Sequence, residues 1–123
     1  MKHTLYIYIL LLALCLTSCG TTPSEAVEHY YQCLMDSDFN AWIDGTLHGE
    51  AYTGEVRQER IDLLRQYLQM EHELRGGICS AKAVRDTTVE DNSYVFMELA
   101  YGDSTKEEIL VPVVRQNDTW KMK

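Results

Sequence analysis

In the stretch DSDFNAWIDG, Asp36, Asp38 and Asn40 alternate, with Asp44 close behind, which is how a calcium-binding loop begins. Such a loop needs oxygen ligands at its positions 1, 3, 5 and 9, glycine at 6 and a bidentate glutamate at 12. Counted from Asp36, the last two of those places hold Ala41 and Leu47. The turn residue and the strongest ligand are both missing, so no metal is expected. A zinc-protease helix fails on similar grounds, because Glu71-His72-Glu73 has no second histidine at helical spacing. His29 and His48 are scattered and read as solvated surface. Gly76-Gly77 is isolated and makes no phosphate loop, and no residue pattern calls for a cofactor.

Other chemistry-bearing groups are two-sided. Glu98 is the only acid in the middle of the strand-like run from Tyr94 to Tyr101. Facing a pocket it could act as a general base with a raised pKa, and facing solvent or a dimer interface it is an ordinary acid. Tyr30, Tyr31, Trp42, Tyr67 and Tyr101 could line a cavity for a flat ligand, although core packing alone also explains them.

The amino terminus carries a stronger signal. Met1-Lys2-His3 gives a short positive start, and LYIYILLLALCL, residues 5–16, is an apolar run of signal-peptide length. A bilayer span needs about 20 apolar residues. The run ends in Leu16-Thr17-Ser18-Cys19, which resembles the lipobox of bacterial lipoproteins. That resemblance implies cleavage between Ser18 and Cys19 and transfer of a diacylglyceryl group to the Cys19 thiol, with acylation of the freed amine. Each buried CH₂ contributes about 0.8 kcal/mol, so several chains anchor a protein durably.

Residues 1–18 are then a removed leader, 19–22 a lipidated cysteine with a short tether, and 23–123 one domain with one core. The chain has 11 Lys and Arg against 19 Asp and Glu, a net charge of −8. Losing Lys2 with the leader makes it more negative. Such a balance argues against nucleic acid, which is bound by clustered cations, and against adhesion to anionic lipid by charge. Membrane attachment therefore falls to Cys19. An extended residue reaches about 3.5 Å, so Gly20 and Thr21 hold the domain close to the bilayer. No acidic run follows Cys19, which favours the periplasmic side of the envelope.

Cys33 and Cys79 remain. An even pair in an oxidising envelope points to a disulfide between the first helix and the first strand. Such a bond would be worth about 4 kcal/mol in the chain-entropy model. The alternative is two thiols packed as small hydrophobes. A catalytic cysteine is not expected, since there is no CxxC and no basic neighbour to lower a thiol pKa.

The elements that must position these groups change character midway. Thr22-Pro23-Ser24-Glu25 is a capping box, and Ala26, Val27, Tyr30, Tyr31, Leu34 and Met35 form an apolar stripe on a helix ending near Met35. Asp38 is placed to cap a second short helix through Phe39, Trp42 and Ile43. A third helix follows Thr53-Gly54, with Val56, Ile61, Leu63, Leu64, Tyr67 and Leu68 as its apolar face, and Gly76-Gly77 ends it. From Ile78 the period becomes two. Strands are predicted over 78–88, 94–101, 107–115 and 119–123, with Pro112 marking an edge or bulge. Helices first and strands after give an α+β domain, with N-terminal helices on a curved antiparallel sheet of about four strands.

The paired tyrosines of EAVEHYYQCL, the acidic turn and aromatic helix of DSDFNAWI, and the closing NDTWKMK together resemble the nuclear-transport-factor-2-like, cystatin-like domains of small bacterial lipoproteins. The likeness covers about residues 23–123. It implies a cone in which the sheet wraps a long helix, often with a cavity at its open end. Relatives include isomerases and dehydratases with an Asp or a His–Asp pair in the cone, small-molecule binders, and proteins that pair or dimerise. A few carry a label as lumazine-like ligand binders. None of the enzyme motifs matches this chain residue by residue. The favoured reading is a non-catalytic module at the membrane that binds a small apolar ligand or a protein partner, or forms a homodimer. The alternative is a small cone-fold enzyme using Glu98 or a nearby acid as base.

Overall fold

The computed structural model describes residues 21–123, so the leader, Cys19 and Gly20 lie outside the described residues. Helix α1 runs Pro23–Met35. Thr22 Oγ1 accepts from the Glu25 amide at 3.1 Å, and Pro23 sits in the first turn, where its missing N–H costs nothing. After the turn Asp36-Ser37-Asp38, Asp38 caps α2 (Phe39–Asp44) by accepting from the Ala41 amide at 3.2 Å. A carboxylate that a calcium loop would use as a ligand is here a helix cap. The loop bracketed by Gly45 and Gly49 leads through His48, in the left-handed region at φ 64°, into a short 3-10 turn, Gly49–Ala51.

Helix α3 spans Gly54–Arg75. It stops at Gly76, whose φ of 80° suits a residue without Cβ. The Gly76 and Gly77 amides then donate to the carbonyls of His72 and Glu71, at 3.0 and 3.1 Å.

Strands β1 (Ile78–Val89), β2 (Asn92–Tyr101), β3 (Lys106–Gln116) and β4 (Thr119–Met122) form one antiparallel sheet in the order β1-β2-β3-β4. Alternation sets its two faces. Val95, Met97, Leu99 and Tyr101 of β2 are buried, while Tyr94, Phe96, Glu98 and Ala100 point the other way. Register shifts at Ile78/Ser80 and Ala83/Arg85 bend β1, as bulges do. At the second one, Glu28 of α1 accepts from the Ala83 amide at 2.8 Å. Pro112 stands opposite Tyr94 of β2 and one residue past the final β3–β4 pair, Val113 with Met122. Its carbonyl accepts from the Lys123 amide at 3.0 Å, so its missing N–H falls at the very end of the β3–β4 ladder.

Helix α1 lies across the inner face. Ala26, Val27 and Tyr30 pack with Val95, Met97, Val113 and Trp120. A fully buried aliphatic side chain of this kind contributes about 1.5–3 kcal/mol relative to exposure. The Tyr30 hydroxyl donates to the Trp120 carbonyl at 2.7 Å, so the buried phenol keeps a partner. Backbone bonds from Leu47 to Met122 and from Met122 to Gly45, at 2.7 and 2.8 Å, fasten the loop after α2 to the end of β4.

Helix α3 departs from the single apolar face read from its sequence. Ile61, Leu64 and Leu68 are half-buried, but Val56, Leu63 and Tyr67 are exposed, and Glu71 is the helix's one buried residue. The two sets lie one residue out of phase, about 100° apart round the helix, so a single contact cannot cover both. Among the described residues, no helix is long and apolar enough to cross a membrane.

Candidate functional site

Glu71 and Arg75 are one helical turn apart at the end of α3. Arg75 Nε and Nη2 reach Glu71 Oε2 and Oε1 at 2.9 and 3.0 Å, a bidentate pairing. Its Nη1 reaches Glu107 Oε2 of β3 at 3.1 Å. The Tyr101 hydroxyl donates to that same oxygen at 2.7 Å, and the guanidinium lies 3.9 Å from the centre of the Tyr101 ring. The backbone brings these groups together. Gly102 and Asp103, in the β2–β3 hairpin, donate to the carbonyls of Gly77 and Arg75 at 3.0 and 2.9 Å. A Cβ at Gly102 would run into the Gly76 carbonyl, so this approach requires glycine.

Tyr31 of α1 and Trp42 of α2 meet edge to face beside this cluster, with ring centroids 4.9 Å apart at 89°. Burial pushes the Tyr31 phenol up to about 12, and the nearby Tyr67 and Glu107 add to the shift. Burial also raises Tyr101, followed by its hydrogen bond to Glu107. Tyr67 is raised by burial and then by Glu71. The hydrogen bond from Tyr101, and then that from Arg75, hold Glu107 below the usual carboxylate range. Arg75 is raised, chiefly by its bond to Glu71. Every shift leads away from neutrality. The phenols are held protonated and Glu107 and Arg75 are held charged, which makes a closed latch rather than a proton relay.

Of the pocket residues expected from sequence, Tyr31, Tyr67 and Tyr101 gather at this cluster and Trp42 adjoins it. Glu98 does not. It lies on the outer face of β2, its side chain 46% exposed and 3.6 Å from Lys106 Nζ. Strand alternation puts the odd-numbered positions of β2 inward, so an acid at an even one faces out. Three members of the cluster, Glu71, Arg75 and Glu107, were not singled out as a site from sequence. The i, i+4 spacing of Glu71 and Arg75 just before Gly76-Gly77 was the available signal.

Clefts also open elsewhere among the described residues. One of about 440 Å³ is lined by Thr21, residues of α1 (Ala26, His29 and Tyr30) and the β3–β4 turn with the start of β4 (Asp118 to Trp120). Another, of about 160 Å³, lies between α2 and α3. Of the residues expected to line a pocket, Tyr30 lines the first and Trp42 the second, while Tyr31, Tyr67, Glu98 and Tyr101 line neither. No group of three or more His, Cys, Asp or Glu is placed to hold a metal ion among the described residues.

The expected Cys33–Cys79 disulfide is not formed in this structure, and both thiols are free. Cys33 is buried on α1 with its sulfur 3.7 Å from His29 Nε2. Cys79 sits at the first bulge of β1, exposed, with its sulfur turned to the Gly77 carbonyl. The bulge gives Cys79 no direct partner on β2, and each sulfur has a different neighbour. Burial, then Asp38 and Asp36, raise the Cys33 pKa, the reverse of what an activated nucleophile needs.

No family model and no curated protein matches the chain. Two solved structures share its fold. An NTF2-like transpeptidase from Campylobacter jejuni aligns with a TM-score of 0.65 at 11% identity, over 83% of this chain and 97% of that one. A SEC-C motif containing protein from Rhodopseudomonas palustris aligns with a TM-score of 0.62 at 10% identity, covering 89% and 81%. The fold is therefore the NTF2-like α+β cone, with helices on a curved four-stranded antiparallel sheet. At such identities the likeness is one of fold, and a fold of this kind hosts many functions.

Proposed function

We propose that the protein is an envelope lipoprotein, anchored through Cys19 on the periplasmic side of a bacterial membrane, whose cone domain is a non-catalytic binding or assembly module. The observation that carries the module reading is the closure of the Arg75 cluster. Its guanidinium is taken up by Glu71, Glu107 and the Tyr101 ring, with Glu107 held below the usual carboxylate range and the Tyr101 phenol raised. An enzyme built on Glu98 has little support, since that acid is on the outer face beside Lys106. The anchor rests on Leu16-Thr17-Ser18-Cys19 and the short tether behind it.

Two experiments test this. Cells expressing the full chain are fed an alkyne-tagged fatty acid. Label is expected on the natural chain and none on Cys19→Ser, and equal labelling of both would end the lipoprotein reading. The full chain purified from envelopes is then crystallised. Bound density among Tyr31, Tyr67 and Tyr101, touching a carboxylate released from Arg75, would overturn the non-catalytic reading.

A further inference from the structure

Helix α3 has two lines of side chains, and the fold covers one, reaching the other only at Tyr67, which borders the Arg75 cluster. Ile61, Leu64, Leu68 and Glu71 are turned to the body of the domain. Val56, Leu63, Tyr67, Met70 and Leu74 follow the same spacing one residue out of phase and are 40 to 68% exposed. At 1.5 Å per residue this second line is about 27 Å long. Single exposed apolar residues are ordinary, but five in register along a helix form a docking stripe of the kind a second helix covers.

Charge selects the occupant. Round the helix, on the side of the stripe away from the domain, come Glu55, Glu59, Asp62, Gln66, Gln69 and Glu73, with no Lys or Arg among them. All are exposed, and Glu55, Glu59 and Glu73 make no ion pair among the described residues. A second copy laid antiparallel would match the apolar residues well, Val56 against Leu74 and Leu63 against Tyr67. It would also press one acidic flank against the other, with Glu59 near the second copy's Glu73, and like charges so placed repel. A membrane surface bearing anionic lipid is opposed by the same acids.

We propose that this face of α3 docks a basic amphipathic helix from another protein, with apolar residues at i, i+3 or i+4 and i+7, and Lys or Arg along the edge that meets Glu55, Glu59, Asp62 and Glu73. The cleft of about 160 Å³ between Trp42, Thr46, Arg60 and Leu63 opens at the amino-terminal half of the stripe and has room for one large side chain of that helix. The proposal rests on the binding-module reading and specifies the partner's chemistry.

The test uses the full chain in phosphatidylcholine nanodiscs and two synthetic 18-residue amphipathic peptides of one pattern, Leu/Lys and Leu/Glu. Empty discs give the background. Methyl NMR signals of Leu63, Met70 and Leu74 are followed through each titration. The Leu/Lys peptide is expected to shift these signals saturably, at least tenfold more tightly than Leu/Glu. Glu59→Lys with Glu73→Lys should narrow or reverse that preference, while Met70→Glu should abolish binding. Because Met70 is exposed, a lost signal there is separable from unfolding by the unchanged core methyls of Val27 and Val95. Equal binding of both peptides, binding of neither, or concentration-dependent pairing of the chain through the same methyls would each overturn the proposal. Peptide shifts confined to the His29 and Trp120 cleft would overturn it too, yet leave the module reading standing.

Discussion

Arg75 and Glu107 are 32 positions apart in the chain and 3.1 Å apart in the fold, joined from the last turn of α3 to the start of β3. Glu71 is buried beside them and depends on the same guanidinium for its charge balance. Arg75 is thus the hinge pin of the cluster. Removing it leaves a buried carboxylate unpaired, whereas removing Glu107 leaves the Glu71 pairing intact. Arg75→Met is therefore expected to lower the midpoint of thermal unfolding more than Glu107→Gln does. Calorimetry on the two variants checks the order, and a reversed order would show that Glu71 is balanced by something else.

Acid should weaken the same contact. The folded pKa of Glu107 is depressed by Tyr101 and Arg75, so the folded state binds its proton less readily than the unfolded chain. The stabilisation is then fully present above the ordinary carboxylate pKa and fades as pH falls through the depressed value. Urea midpoints measured between neutral pH and about pH 3 should fall, and Glu107→Gln should flatten part of that slope.

At the alkaline end, Tyr31 sets the expectation. Its phenol is raised from 10.0 to about 12, so the folded state holds the proton longer than the unfolded chain. Stability is complete below the unfolded value and is lost as pH rises from about 10 to about 12. Phenolate absorbance at about 295 nm should show one phenol titrating near 12 in the folded chain, and Tyr31→Phe should remove it.

The two free thiols should differ in reactivity. Cys79 is exposed and Cys33 is buried. Iodoacetamide followed by peptide mass mapping should label Cys79 in the native protein and Cys33 only in denaturant. If neither is labelled without a reductant, the pair is bonded after all.

Arg57 fastens the loop region as Arg75 fastens the hairpin. It donates to the Tyr52 carbonyl at 2.6 Å, Asn40 at 3.0 Å, Asp44 at 2.6 Å and the Gly49 carbonyl at 3.1 Å. Hydrogen bonds to a charged group are worth about 1.5–3 kcal/mol each, and they overlap when shared by one side chain. Arg57→Ala is expected to cost about 2 kcal/mol in a denaturant titration, and hydrogen exchange should rise over residues 44–52.

Local patterns settled the elements. Thr22, Pro23 and Glu25 placed the start of α1, Asp38 the start of α2, and Gly76-Gly77 the end of α3, because caps and breakers act within a few residues of themselves. The period of two in β2 told which side chains are buried, since alternation is a property of the strand. It left open which face a helix would cover, and with that the role of Glu98. Contacts between elements needed the tertiary structure. Residues 71, 75, 101 and 107 meet only because the β2–β3 hairpin docks on the end of α3 through Gly76 and Gly102. The split of α3 into a covered and an exposed apolar line has the same origin. Periodicity records that Leu63 and Leu64 are apolar, and the placement of neighbouring elements decides which of them meets water.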